Sequence, residues 1–228
     1  MKKIECTDFP LKGRGSLRPP GVYQPTPPLN FVILAGWGEL TPFARSRDGQ
    51  FRSAPTFLVN SFKYTKDYKE VKEVGFLQST TRTARQSETA TFWYDVATKE
   101  WHGAAQAGLS HVSANEWRAA RLLALVSIAM ADGVIASFDT KFNDNFWRPI
   151  TAIRAGNNDG NSSTKGDPTW EPFCVTPPFP EHNSTHAVTA AAAATRLASR
   201  MPSSFSSRIR PVTGARARRV TGRRTTSG

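Results

Sequence analysis

The chain has 228 residues, 39% of them hydrophobic, and a formal net charge of +12, which is length enough for one domain with a sizeable core. Its two cysteines, Cys6 and Cys174, form no disulfide framework and no metal-ligand spacing. The charge first suggests nucleic acid or a membrane surface, but eight arginines and no acids lie between Leu197 and Gly228, leaving 22 basic against 18 acidic residues ahead of them, a net of +4.

Residues 1–60 are rich in proline and glycine (RPPGVYQPTPP, AGWGELTPF, FRSAPTF). Proline fixes φ and removes a backbone donor, so an irregular arm is expected there. The opening MKKIECTDFPLKGRG has no apolar core of a secretory signal. Helical periodicity begins at Phe62, where Tyr64, Tyr68, Val71 and Val74 recur at three- and four-residue steps, with Gly75 placed to close the helix. A second helix is expected over Thr83 to Ala97, with Ala90, Trp93, Tyr94 and Ala97 on one side. His102 and His111 then fall in an expected loop and read as surface residues.

Ser113-Ala-Asn-Glu116 is a capping-box pattern that opens a third, long helix. Its stripe of Leu123, Val126, Met130, Val134 and Phe138, widened by Leu122, Leu125 and Ala129, marks the central helix of a bundle. It should stop before Pro149. Asp139 and Asp144 read as helix-surface pairs. The apolar run Leu122–Ala131 is interrupted by Ser127 and ended by Asp132, short of the ~20 residues a membrane-spanning helix needs. Residues 156–183 are loop chemistry. Ser184 is the N-cap of a final helix, THAVTAAAAATRLAS. Beyond Met201 there is neither apolar period nor acid, and disorder is expected. No segment alternates like a half-buried strand, so the class is all-α.

The chemistry concentrates in KFNDNFWRP (141–149) and PEHNSTH (180–186). On a continuous helix, seven residues return Lys141 and Arg148 to nearly one face, ~10 Å apart along the axis. Arg offers a planar fork for phosphate-like oxygens, and Lys a mobile point charge. Ser184, Thr185 and His186 stand at a helix start, where backbone N–H groups and the dipole favour an anion. His186 is placed to exchange a proton with a ligand oxygen. Together these residues describe a pocket for a tetrahedral or trigonal-bipyramidal oxyanion.

These motifs resemble the vanadium-dependent haloperoxidase and type 2 phosphatidic acid phosphatase (acid phosphatase) superfamily. YQPTPP, WGELTPF, FWRPITAIR and TPPFPEH are closer to its soluble haloperoxidase-like branch. The resemblance spans roughly residues 20–198 and implies a bundle of α-helices. It implies that Lys141, Arg148, Ser184 and Thr185 hold vanadate, or phosphate in the phosphatase reading, and that Lys141 and His186 are catalytic. His182 and Trp147 would border the pocket. The implied reaction is peroxide-dependent halide oxidation, with vanadium acting as a Lewis acid and hydrogen peroxide and halide as partners. The alternative is hydrolysis of a phosphomonoester.

Three departures qualify the resemblance. Thr185 stands where the family has glycine, and Asn183 where proline is frequent. The family's third motif, Ser-Arg-x5-His, is absent: no histidine follows His186. A direct protein ligand to vanadium is therefore missing, and weak vanadate binding with impaired turnover is expected. The chain reads as a truncated piece carrying two of three motifs: an arm over 1–60, a partial helical domain over 61–200 and a basic tail over 201–228. The rival from another class is a non-catalytic fragment that binds nucleic acid non-specifically through that tail. No specific nucleic-acid partner and no membrane is expected. Self-association through uncovered apolar surface is left open, and the compartment is unassigned.

Overall fold

The computed structural model of the chain describes residues 19–46, 49–52, 58–94, 97–110 and 114–200. Among these residues the structure is all-α: backbone pairing between extended segments is limited to isolated bridges such as Val22 with Phe146 and Phe76 with Pro172. The helices are α1 (Phe62–Val74), α2 (Ala84–Trp93), α3 (Ala97–Ser110), α4 (Glu116–Asp144), α5 (Pro149–Arg154) and α6 (Thr185–Arg200), with 3-10 turns at Ala35–Glu39 and Gly156–Asn158. The basic tail lies outside the described residues.

Each helix start has a local cause. The Ser61 side chain accepts from the Tyr64 amide, and Thr83 with Gln86 forms a reciprocal capping box. For α4 the cap is Asn115, whose side chain accepts from the Arg118 amide. This corrects the expected Ser113 box, and Ser113 itself lies outside the described residues. The expected single helix over Thr83–Ala97 also proves wrong. α2 closes at Tyr94, and α3 fills what read as a loop around His102. Trp101, Ala105 and Leu109 recur every four residues and pack with Leu122, Val126, Met130, Ala193 and Leu197. That burial pulls 97–110 into a helix. His111 lies outside the described residues.

α4 is the central element, packed against α3, α6 and the Ala35–Glu39 turn. Its length and apolar composition would by themselves permit a bilayer crossing, despite the interrupted apolar run. In this fold its Leu122, Leu123, Val126 and Met130 line the core shared with α3 and α6. A second core joins α1 to α5: Tyr64, Tyr68, Trp147, Ile150, Ile153 and Trp170.

The arm is irregular but tightly attached. A Cβ on Gly38 would lie 2.7 Å from the Asp139 backbone, so only glycine allows the 3-10 turn to seat on α4. The buried Asp132 carboxylate accepts from the amides of Phe43 (2.7 Å) and Ala44 (2.8 Å). The Arg52 fork meets both oxygens of Asp139 at 2.9 and 2.8 Å. Asp139 therefore ties α4 to the arm, and Asp144 bonds His182. Asp139 thus pairs with the arm, while Asp144 also accepts from Asn143 Nδ2 of its own helix at 3.1 Å.

Asp132→Ala leaves two amides without an acceptor and should lower unfolding free energy by about 2 kcal/mol. Arg52→Ala removes a pair whose arginine side chain is 40% exposed and should cost no more than about 1 kcal/mol. Urea denaturation midpoints of the two variants test that order, and equal losses would contradict it.

Candidate functional site

The site is assembled where α4 ends and α5 begins. α4 does not run on to Pro149. It stops at Asp144, and Asn145 turns the chain through the left-handed region (φ 49°). Arg148 is then the extended residue before Pro149, the first residue of α5. Lys141 and Arg148 thus lie on two elements rather than one helical face, which corrects the single-helix geometry read from their spacing. They converge nonetheless, because both side chains turn onto the same loop, Phe179–Glu181.

Lys141 is 1% exposed, and its Nζ donates to the carbonyl oxygens of Pro180 (3.0 Å) and Glu181 (2.9 Å). Arg148 is 8% exposed; its Nε donates to Phe179 O (2.6 Å) and its Nη1 to Glu181 Oε2 (2.5 Å). Its remaining terminal nitrogen, Nη2, is buried and has no hydrogen-bond partner. Both cations also stand over the Phe179 ring, Lys141 Nζ at 5.1 Å and Arg148 Cζ at 4.8 Å from its centroid. The loop itself is held by its backbone: Ile33 N–H donates to Pro178 O and Glu181 N–H to Phe146 O.

Burial pushes the Lys141 amine down to about 7, with the neighbouring Arg148 charge acting in the same direction and Glu181 opposing it. A lysine so placed changes charge near neutrality and gains a proton when an anion approaches.

α6 starts against α4 at Ser137, one helical turn before Lys141. The exposed Ser184 Oγ accepts from the Ala187 amide at 3.3 Å, an N-cap as expected from sequence. Thr185 Oγ1 lies 2.8 Å from Ser137 Oγ of α4, which also donates to Asn183 Oδ1 at 2.8 Å. The hydroxyl and amide that stand at the two departures from the family pattern therefore dock the start of α6 onto α4. His186 is half-buried on the first turn of α6. His182 is half-buried and bonds Asp144 Oδ2 at 2.8 Å, beside the loop that Lys141 holds. Trp147 lies in the α1–α5 core at 4% exposure.

Two residues of the site escaped the sequence reading. Phe179 is the shared face of the two cations. Glu181 is the one charged carboxylate on Arg148. A signal for it existed: between Glu171 and Arg196 it is the sole Asp, Glu, Lys or Arg. A misread neighbour is His102. Placed on α3, its Nδ1 lies 2.7 Å from Thr98 O and its Nε2 2.9 Å from Ser127 Oγ of α4. It is a bridge between helices rather than a loop residue.

Among the described residues, no group of three or more His, Cys, Asp and Glu is placed to hold a metal ion. The orphaned Arg148 Nη2 and the buried Lys141 amine instead fit a group bound through its oxygens by hydrogen bonds and charge.

A family model described as the VCPO second helical-bundle domain matches residues 121–223. The vanadium chloroperoxidase of Curvularia inaequalis is 36% identical over 89 residues, 35% of this chain and 14% of the relative. The crystal structure of a bacterial vanadium-dependent iodoperoxidase superposes with a TM-score of 0.68 and 25% identity, covering 84% of this chain and 48% of that one. The chain thus spans about half the length of the iodoperoxidase and a smaller share of the chloroperoxidase. The stretch matched by the family model contains both buried cations and the whole of α6, and sequence and fold agree in supporting a likeness of this chain to the vanadium haloperoxidase superfamily.

Proposed function

We propose that the buried cations Lys141 and Arg148 bind vanadate and that the chain is built for peroxide-dependent halide oxidation. The observation that carries this reading is the buried, unpartnered Nη2 of Arg148 next to a buried lysine. An orphaned cationic donor is costly unless a ligand meets it in the working state. The relatives' names add peroxide, halide and vanadium chemistry.

When bound, vanadate supplies a Lewis-acidic centre that activates peroxide without changing oxidation state. The protein's part is to hold and charge-balance it. Arg148 would hold the anion's oxygens through its free Nη2, kept in position because its Nε is anchored on Phe179 O. Lys141, protonated as the anion arrives, supplies the second charge and can donate toward a peroxide oxygen. The exposed Ser184 hydroxyl and the amides of the first turn of α6 offer further donors. His186 is the proton-exchanging group in this reading. Thr185 acts by docking α6 to Ser137. These residues would hold vanadate through hydrogen bonds and charge.

The deciding measurement is bromide oxidation with hydrogen peroxide, with and without added vanadate, run beside hydrolysis of p-nitrophenyl phosphate. Vanadate-dependent bromination supports the proposal. Phosphate release without bromination would replace it by the phosphatase reading, and neither activity combined with no anion binding would remove it. Lys141→Met and Arg148→Ala should each weaken anion binding about tenfold to a hundredfold, as read by calorimetric titration.

The lysine also sets a pH dependence. Its protonated form binds the anion and its pKa without ligand is about 7. Affinity for sulfate, whose charge is constant over this range, should therefore be level below about pH 7 and fall about tenfold per unit above it. At pH 8 binding should take up close to one proton, visible as a dependence of the heat on buffer ionisation. Lys141→Met should abolish both effects, and a flat profile in the unaltered protein would contradict the role given to Lys141.

A further inference from the structure

Oxyanion capture by an arginine works best through two parallel N–H donors on one edge of the guanidinium. Arg148 has two edges that include its orphaned Nη2. The Nε–Nη2 edge is half occupied by the Phe179 carbonyl, and the Nη1–Nη2 edge by the Glu181 carboxylate.

The two occupants differ in kind. The Phe179 carbonyl belongs to a backbone segment pinned by Ile33, Phe146 and Pro177. The Glu181 carboxylate is on a side chain 39% exposed, with rotatable bonds and solvent to move into. The backbone of Glu181 does not need the carboxylate to stay in place, since its N–H is bonded to Phe146 and its carbonyl accepts from Lys141.

We propose that Glu181 is a built-in competitor for the oxyanion at Arg148. Its carboxylate occupies Nη1 in the ligand-free state and must swing away before a tetrahedral anion can take the Nη1–Nη2 edge. The inference rests on the oxyanion reading of this site and concerns which anions the site accepts. A monoatomic anion needs only Nη2 and is not opposed by Glu181 except through charge. A tetrahedral oxyanion needs two donors and must displace it. Glu181 therefore sets the threshold concentration of oxyanion and is a positioning residue that acts through Arg148.

The test measures dissociation constants of inorganic phosphate and orthovanadate by calorimetric titration on the full chain. The set is the unaltered protein, Glu181→Gln, Glu181→Asp and the control Arg148→Ala, each checked for native helix content by circular dichroism. Glu181→Gln removes the charge. Glu181→Asp keeps it but draws it back by one methylene. Both should tighten oxyanion binding, Gln by about two- to fivefold and Asp by less. A merely structural ion pair would give the opposite sign, because its loss loosens the site. Unchanged or weaker binding in both variants overturns the competitor role. If Arg148→Ala abolishes binding in that case, the pocket stands without the competitor. If Arg148→Ala binds as the unaltered protein does, or no protein in the set binds either anion, the pocket reading falls along with it.

Discussion

The structure depends on a clamp between two buried cations and one loop. Lys141 lies in the last turn of α4 and Arg148 in the extended link just before α5, and neither finds a salt-bridge partner within its own element. Between them they take the carbonyls of Phe179, Pro180 and Glu181 and the carboxylate of Glu181. Burying an ammonium and a guanidinium side by side is unfavourable by desolvation and by mutual repulsion. The carbonyl dipoles and the Phe179 ring offset part of that cost. What remains shows as the depressed Lys141 pKa and the unsatisfied Arg148 Nη2.

The clamp also explains the course of the chain. Asn145 must turn left-handed so that α4 can end before Arg148, and Pro149 then restarts the helix with Arg148 extended. The Asn145 carbonyl accepts from Tyr23, and Gly21 O from Trp147, so the proline-rich arm laces the same turn. On the far side, Ser137 receives α6 through Asn183 and Thr185. Arm, turn, loop and α6 all meet within about one helical turn of Lys141. A perturbation of the clamp therefore reaches each of these elements.

Much of this was legible in the sequence, for identifiable reasons. Val126 and Met130 sat on a stripe with helical period, and Ser184 at a strong N-cap position, because local periodicity and capping are encoded within a few residues. Lys141 and Arg148 stood out because neither belongs on a buried face without a purpose. The failures are equally physical. α3 was missed because small residues such as Ala105 carry little apolar signal, although their burial against α4 and α6 stabilises the helix. The break at Asn145 was missed because left-handed asparagine caps look like any polar residue in sequence. The arm partners of Asp132 and Asp139 and the His182 partner of Asp144 lie 38 to 89 residues away, beyond any local pattern.

The clamp holds two requirements that usually conflict. A site for a multiply charged oxyanion needs fixed cationic donors, and fixed cationic donors without a ligand destabilise a fold. Here the loop's own oxygens stand in for the ligand's: three carbonyls that stay and one carboxylate that is able to leave. The carbonyls keep the donors oriented in the empty site, so little reorganisation is needed when an anion arrives. The carboxylate keeps the net charge of the empty site low, and a lysine poised near neutrality lowers it further. On the proposed reading an oxyanion would find donors already in place and gain the charge of Lys141 only as it binds. Such a site would, on that reading, be selective by construction, since an anion too weak to displace Glu181 or to draw a proton onto Lys141 would meet a single N–H and little else.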